Sequence, residues 1–258
     1  LNKYLYANDS PILFSDPSGY CPATDSACVD EANELYENYG WFVRDVMTLK
    51  AVNALIGTAE RIEDWFDSHG GGGAARMRAH LAPLDIHNAG LFWELANRHH
   101  VVGDKVYLLE GFSSIWVIHE MGHALDNLNG NSIYASLRGG GPSDEMATAI
   151  GLDPAECKPR FRCKKQYTKM ILDAKAEQPV TAYGFWGPSE DFAETFRWSV
   201  TKPNDLRSVA PERSVWMDTF ASGLTNTRGI YDRDQYKGLL EQIPSAMCTW
   251  PTPVGKLP

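Results

Sequence analysis

The sequence predicts an α+β domain, mostly helical with a small sheet. Three observations point there. Apolar residues recur at helical spacing over long stretches, as at Val46, Leu49, Val52, Leu55 and Ile56. Positions three and four apart share one side of a helix, so this set forms a core-facing stripe. By contrast, only KVYLLEG, at 105–111, has the β-branched and aromatic content of a good strand. Finally, 258 residues at 43% hydrophobic composition are enough to bury one sizeable core.

In chain order, residues 1–20, LNKYLYANDSPILFSDPSGY, mix aromatics with turn formers and stand apart from a domain spanning 21–258. Residues 28–68 read as helical through ELYENYG and RDVMTLKAVNALIGTAERIEDWF, and HGGGG at 69–73 breaks the pattern. Residues 74–103 fit neither period. After the 105–111 strand, Ser113 or Ser114 can cap a helix over roughly 114–128. NGNSIYASLRGGGPS reads as loop, DEMATAIG as a weak helix, and 163–178 as a stronger one. VTAYGFWGPS is turn-rich. A helix over 190–200 follows Pro188-Ser189, a good cap, and further helices fall near 211–222 and 231–243. There is no internal repeat.

A net charge of −9 argues against a nucleic-acid partner, which needs a basic surface to meet phosphates. No apolar run approaches the ~20 residues of a membrane helix, so no membrane insertion is expected. No secretory leader is visible, and the chain starts without Met, which reads as a fragment or processed product. Of the five cysteines, Cys21/Cys28 and Cys157/Cys163 are each spaced to close a small disulfide loop, leaving Cys248. Disulfides would place the domain outside a reducing cytosol.

The chemistry centres on IHEMGHALDN, 118–127. His119 and His123 lie four apart on one helix face and can offer one nitrogen each to a single metal. Zinc takes N, O or S ligands tetrahedrally, and a catalytic site leaves one position for water. Glu120, beside the first histidine, can act as base toward that water. A third protein ligand is required. The metzincin pattern would need glycine at position 126 and histidine at 129, where the chain has Asp126 and Asn129. A later glutamate remains: Glu145 in PSDEMATA, or Glu190 in YGFWGPSEDFAETFRW. Glu190 is preferred, because Glu190 and Glu194 share a face of a helix that Phe192, Phe196 and Trp198 mark as substantially buried. One carboxylate can bind metal while the other orients a ligand histidine. His99-His100 reads as a surface turn, His69, His80 and His87 have no ligand-like partners, and the aromatics at 41–42, 92–93, 185–186 and 198 read as core.

HEMGHALD followed by YGFWGPSEDFAETFR resembles the catalytic domain of anthrax lethal factor and its relatives, a gluzincin-like branch of zinc endopeptidases. The match covers about 115–220. It implies a zincin-like metallopeptidase fold, one zinc per chain on His119, His123 and Glu190, and Glu120 as base. It places Tyr183, in a matching Tyr-Gly, near the metal as donor to the developing oxyanion. Glu194 falls on the family's glutamate behind the ligands, and Asp126 on an acidic position after the motif that can serve the same way. The chain departs from the family in a longer stretch between His123 and Tyr183, carrying Cys157 and Cys163, and in Asp191 where the family has an aromatic. Residues 1–20, with Asp16-Pro17-Ser18-Gly19, resemble the end of an RHS/YD-repeat core. That implies a cargo domain of a secreted or delivered protein, a toxin or effector with a possible cognate inhibitor or immunity protein.

The expected function is therefore a zinc endopeptidase acting on a protein or peptide substrate. A zinc amidohydrolase on a non-peptide or side-chain amide would use the same ligands. A catalytically inactive binding module, or a structural cap of a repeat shell, would use none of the chemistry.

Overall fold

A computed structural model describes residues 26–44, 47–88, 99–109, 111–132, 135–157 and 163–224. The 1–20 segment, the helix expected near 231–243, and Cys21, Phe92, Trp93 and Cys248 lie outside them. The described chain is mostly helical with a four-stranded mixed sheet, as the α+β reading expected.

Helix α1 (Ser26–Glu34) runs into one π-helical turn, Leu35–Tyr39, and stops at Gly40. Gly40 adopts φ +71°, and a Cβ there would lie 2.8 Å from the Ala82 Cβ. The continuous helix expected over 28–68 is thus broken, and strand β1 (Trp41–Val43) takes its place. Aromatic and β-branched residues suit a half-buried pleated surface better than mid-helix. Trp41 is fully buried and donates from Nε1 to the Leu81 carbonyl at 3.0 Å. Helix α2 (Leu49–Ser68) starts where the Thr48 hydroxyl accepts from the Ala51 N–H. Glycines at 70–72 with positive φ end it, as HGGGG predicts, and α3 (Gly73–Leu81) follows.

The ambiguous 74–103 stretch supplies α3 and two strands the sequence did not reveal, β2 (Leu84–Asn88) and β3 (His100–Val102). With β4 (Lys105–Leu108) they form a sheet ordered β1-β2-β4-β3. β1, β2 and β4 are parallel, and β3 runs antiparallel along the edge, with Val101 opposite Val106.

Helix α4 (Ser114–Leu128) carries the histidines, within a residue of its sequence bounds. The stretch read as loop after it contains a short turn of helix, α5 (Ala135–Arg138). Then come α6 (Pro142–Ala149), α7 (Lys164–Ala174), α8 (Pro188–Thr201), α9 (Pro203–Val209) and α10 (Pro211–Gly223). Val117, Ile118, Met121, Leu125 and Leu128 of α4 enter the main core with Phe192 and Phe196 of α8 and the apolar stripe of α2. Trp65 of α2 meets Phe196 edge-on at 5.1 Å. A second, smaller core surrounds the Cys157–Cys163 disulfide, with Tyr167, Met170 and Ile171 of α7. Among the described residues no helix is long and apolar enough to cross a membrane.

The two helices that matter most touch backbone to backbone. A Cβ on Gly122 of α4 would lie 2.8 Å from the Ala193 Cα of α8. Only a residue without a side chain lets α8 come this close to the histidine helix.

Candidate metal centre

Helix α4 divides its faces as the spacing requires. Val117, Met121, Ala124 and Leu128 turn to the core, while His119, Glu120 and His123 turn to a cleft of about 130 Å³. Tyr183, Ser189 and Glu190 line the same cleft from the segment before α8 and its first turn, and His99, His100 and Val101 line it from the sheet edge.

His119, His123 and Glu190 form a cluster whose ligating atoms all lie within 4.8 Å of one another. Both imidazoles present Nε2 to one oxygen: Glu190 Oε2 is 3.3 Å from His119 Nε2 and 3.2 Å from His123 Nε2. A tetrahedral ion with bonds of about 2.0–2.1 Å holds its ligand atoms about 3.3–3.4 Å apart. The observed separations match that edge, so the three residues can hold a metal ion. Glu145, the alternative third ligand, is exposed on α6 and outside the cluster.

Each ligand histidine is itself held. Glu194 Oε1 lies 2.8 Å from His119 Nδ1. A carboxylate only accepts, so Nδ1 carries the proton and a neutral ring leaves the Nε2 lone pair for a metal. Glu194 is fixed in turn by the Arg197 guanidinium at 2.9 and 2.7 Å and by the Thr181 hydroxyl at 2.6 Å. The same Thr181 oxygen accepts from the Tyr183 N–H at 3.2 Å, tying the tyrosine's turn to the ligand scaffold. On the other ring, Ser189 Oγ is 2.9 Å from His123 Nδ1. The sequence predicts only a helix cap at Ser189. Ser189 makes no capping side-chain bond, and Pro188 occupies the first turn.

The charges agree with this geometry. Burial opposes ionisation of Glu190, yet the two imidazoles hold its carboxyl well below the usual range. Burial alone would lower His119, but the Glu190 and Glu194 carboxylates raise it to about 10; His123 is raised for a similar reason. Glu194 is held down near 2, against burial, by His119, Arg197 and Thr181. An anionic oxygen between two imidazoles is a place where a proton or a metal cation is strongly favoured.

Glu120 is buried, and its Oε2 has no hydrogen-bond partner. Burial pushes its pKa up. An unpaired carboxylate oxygen in a dry position is costly and marks a group with a ligand to meet. Tyr183 is 36% exposed, with its ring 5.4 Å from that of His119.

Asp126 does not join the ligands. Both nitrogens of each ligand histidine are engaged elsewhere, and Asp126 Oδ1 instead accepts from the Ser143 N–H at 2.8 Å, anchoring the first turn of α6. Asp126, seven residues past His119, lies on the same side of the helix but further along it, where it meets α6 instead of the ligand rings. Asp191, the departure from the lethal-factor pattern, is fully buried and paired with Arg213 at 2.6 Å and the Tyr167 hydroxyl at 2.7 Å. His99-His100 is not a surface turn but leads into β3 beside the cleft. His69 faces Asp218 at 3.1 Å, and His80 lies 2.6 Å from Asn129 Oδ1.

The sequence had not singled out Ser189, Thr181 or Arg197 for the site. Arg197 was readable as an i+3 partner of Glu194, whereas Thr181 carried no signal. Comparison of the chain with protein-family models, curated proteins and solved structures returned no match.

Proposed function

We propose that the chain is a zinc-dependent endopeptidase with a zincin-like fold, related to the lethal-factor branch. The supporting observation is the meeting of both His119 and His123 Nε2 atoms on one Glu190 oxygen at tetrahedral-edge distances, beside a buried glutamate with an unpaired oxygen. Two imidazoles and one carboxylate, in a closely spaced trio, are a donor set that suits zinc.

Zinc held by His119, His123 and Glu190 would supply Lewis acidity and bring the pKa of a bound water down to about 7. Glu120 takes the proton from the attacking water and passes it to the leaving amine, a task its buried, raised-pKa carboxyl suits. Tyr183 donates its hydroxyl proton in a hydrogen bond to the developing oxyanion. Glu194, Arg197 and Thr181 keep the His119 ring in one tautomer and orientation. With residues 1–20 resembling the close of an RHS core, the peptidase would be an effector or toxin acting outside the producing cell, countered by a cognate inhibitor or immunity protein.

Elemental mass spectrometry after mild chelation tests the centre. One zinc per chain is expected in the wild type and in Glu145→Ala, and none in Glu190→Ala. Glu120→Gln should keep its zinc while casein cleavage falls by about 10²–10⁴-fold. Full cleavage by that variant would remove Glu120 as base. A wild-type chain that holds zinc and cuts nothing would leave the binding-module or amidohydrolase reading.

A further inference from the structure

His99 has no part in the chemistry above, yet it lines the same cleft as His119, Glu120, Tyr183 and Glu190. Its Nδ1 accepts a hydrogen bond from the Leu109 backbone N–H at 3.1 Å. A backbone N–H can only donate, so Nδ1 carries a lone pair and no proton. The ring is therefore neutral, with its proton on Nε2. Trp116 of α4 lies beside the ring, with centroids 6.4 Å apart and planes 28° apart. Burial lowers the His99 pKa, and His119 and His100 push the same way, in keeping with a neutral ring.

The cleft is rich in carboxylate acceptors, Glu120 and Glu190, and the ligand histidines aim Nε2 at Glu190. A bound acyl group offers oxygens, which need donors. We propose that His99 is a substrate-binding donor whose Nε2–H hydrogen-bonds an oxygen of the acyl group or oxyanion held in the cleft. The assignment of that group as a peptide rests on the peptidase reading; the donor does not. The role also gives the edge of the sheet a part in the site: Leu109, the residue that follows β4, supplies the N–H that sets the tautomer, and the chain entering β3 supplies the ring.

Long-range proton–nitrogen NMR of the zinc-loaded full chain, with His99→Phe used to assign the ring, should show the proton on Nε2 and none on Nδ1. Calorimetry with acetohydroxamate as the oxyanion probe should show binding weakened about three- to tenfold in His99→Phe, the worth of one hydrogen bond. His99→Gln places an amide N–H near the lost Nε2–H and should recover most of the affinity. Zinc content should stay at one per chain in both variants. A proton on Nδ1, or equal acetohydroxamate affinity in wild type and His99→Phe, would overturn the proposal. Neither readout depends on peptide cleavage, so a chain that fails as a peptidase and a His99 that fails as a donor are told apart.

Discussion

Gly122→Ala is a one-methyl change that should disable the metal centre without touching a ligand. The added Cβ would sit 2.8 Å from the Ala193 Cα, 3.2 Å from its Cβ and 3.3 Å from its carbonyl oxygen. Carbon–carbon contact is comfortable at about 3.5–4.0 Å, so α4 and α8 must part by roughly 0.7 Å at least. None of the three obstacles is a flexible side-chain tip; the nearest is backbone. The helices that separate carry His119 and His123 on one side and Glu190 on the other, where metal geometry tolerates only about 0.2 Å. Alanine gains about 1 kcal/mol of helix propensity over glycine, while overpacking costs about 1–3 kcal/mol. The net expectation is a loss of about 0–2 kcal/mol in stability and at least tenfold in zinc affinity. Gly57→Ala is the control, since a Cβ there meets nothing within 4 Å and should cost nothing. Urea unfolding with chelator present gives the stability, and competition against a chromophoric chelator gives the zinc affinity. If Gly122→Ala binds zinc as tightly as Gly57→Ala, the close helix contact does not set the ligand geometry.

Glu194→Gln should weaken zinc about 10–100-fold in the same competition, because it disturbs the proton on His119 Nδ1 and strands Arg197. Ligation needs both Nε2 atoms bare while Glu190 keeps both imidazoles protonated more readily than usual, so zinc affinity should fall as pH drops, by about tenfold per pH unit for each proton displaced. Asp126 is raised by burial from 3.8 to about 6. Its folded state holds the proton more tightly than the unfolded chain, so its favourable contribution is complete below about pH 4 and lost as pH rises through 6. Asp126→Asn should therefore flatten that dependence in urea unfolding and gain up to about 3 kcal/mol at pH 8. Arg213→Met leaves Asp191 buried without its cation and should cost about 3–5 kcal/mol in the same measurement.

Local periodicity made the centre of the molecule legible. The α4 helix and the pairing of His119 with His123 follow from four-residue spacing, and Glu190 and Glu194 share a helix face for the same reason. Strands β1, β2 and β3 were hidden because three to five residues are too few to show a period, and the parallel partners of β1 and β2 lie far along the chain. Glycine told only part of its story. HGGGG was legible as a break, but Gly40 ending a helix against Ala82, and Gly122 admitting Ala193, depend on neighbours brought by the fold.

The sequence by itself determined the residue types and their local geometry: two imidazoles on one face, a glutamate beside them, and a glutamate helix with a buried aromatic side. The buried aromatic side of its helix already favoured Glu190 over Glu145, but tertiary structure alone brings one Glu190 oxygen to both Nε2 atoms and leaves Glu145 exposed on α6. It also moved Asp126 to the anchoring of α6, gave Ser189 to His123, and turned the Leu109 N–H onto His99. Spacing along a helix fixes directions within a few turns. Distances between elements are fixed only by the core that presses them together.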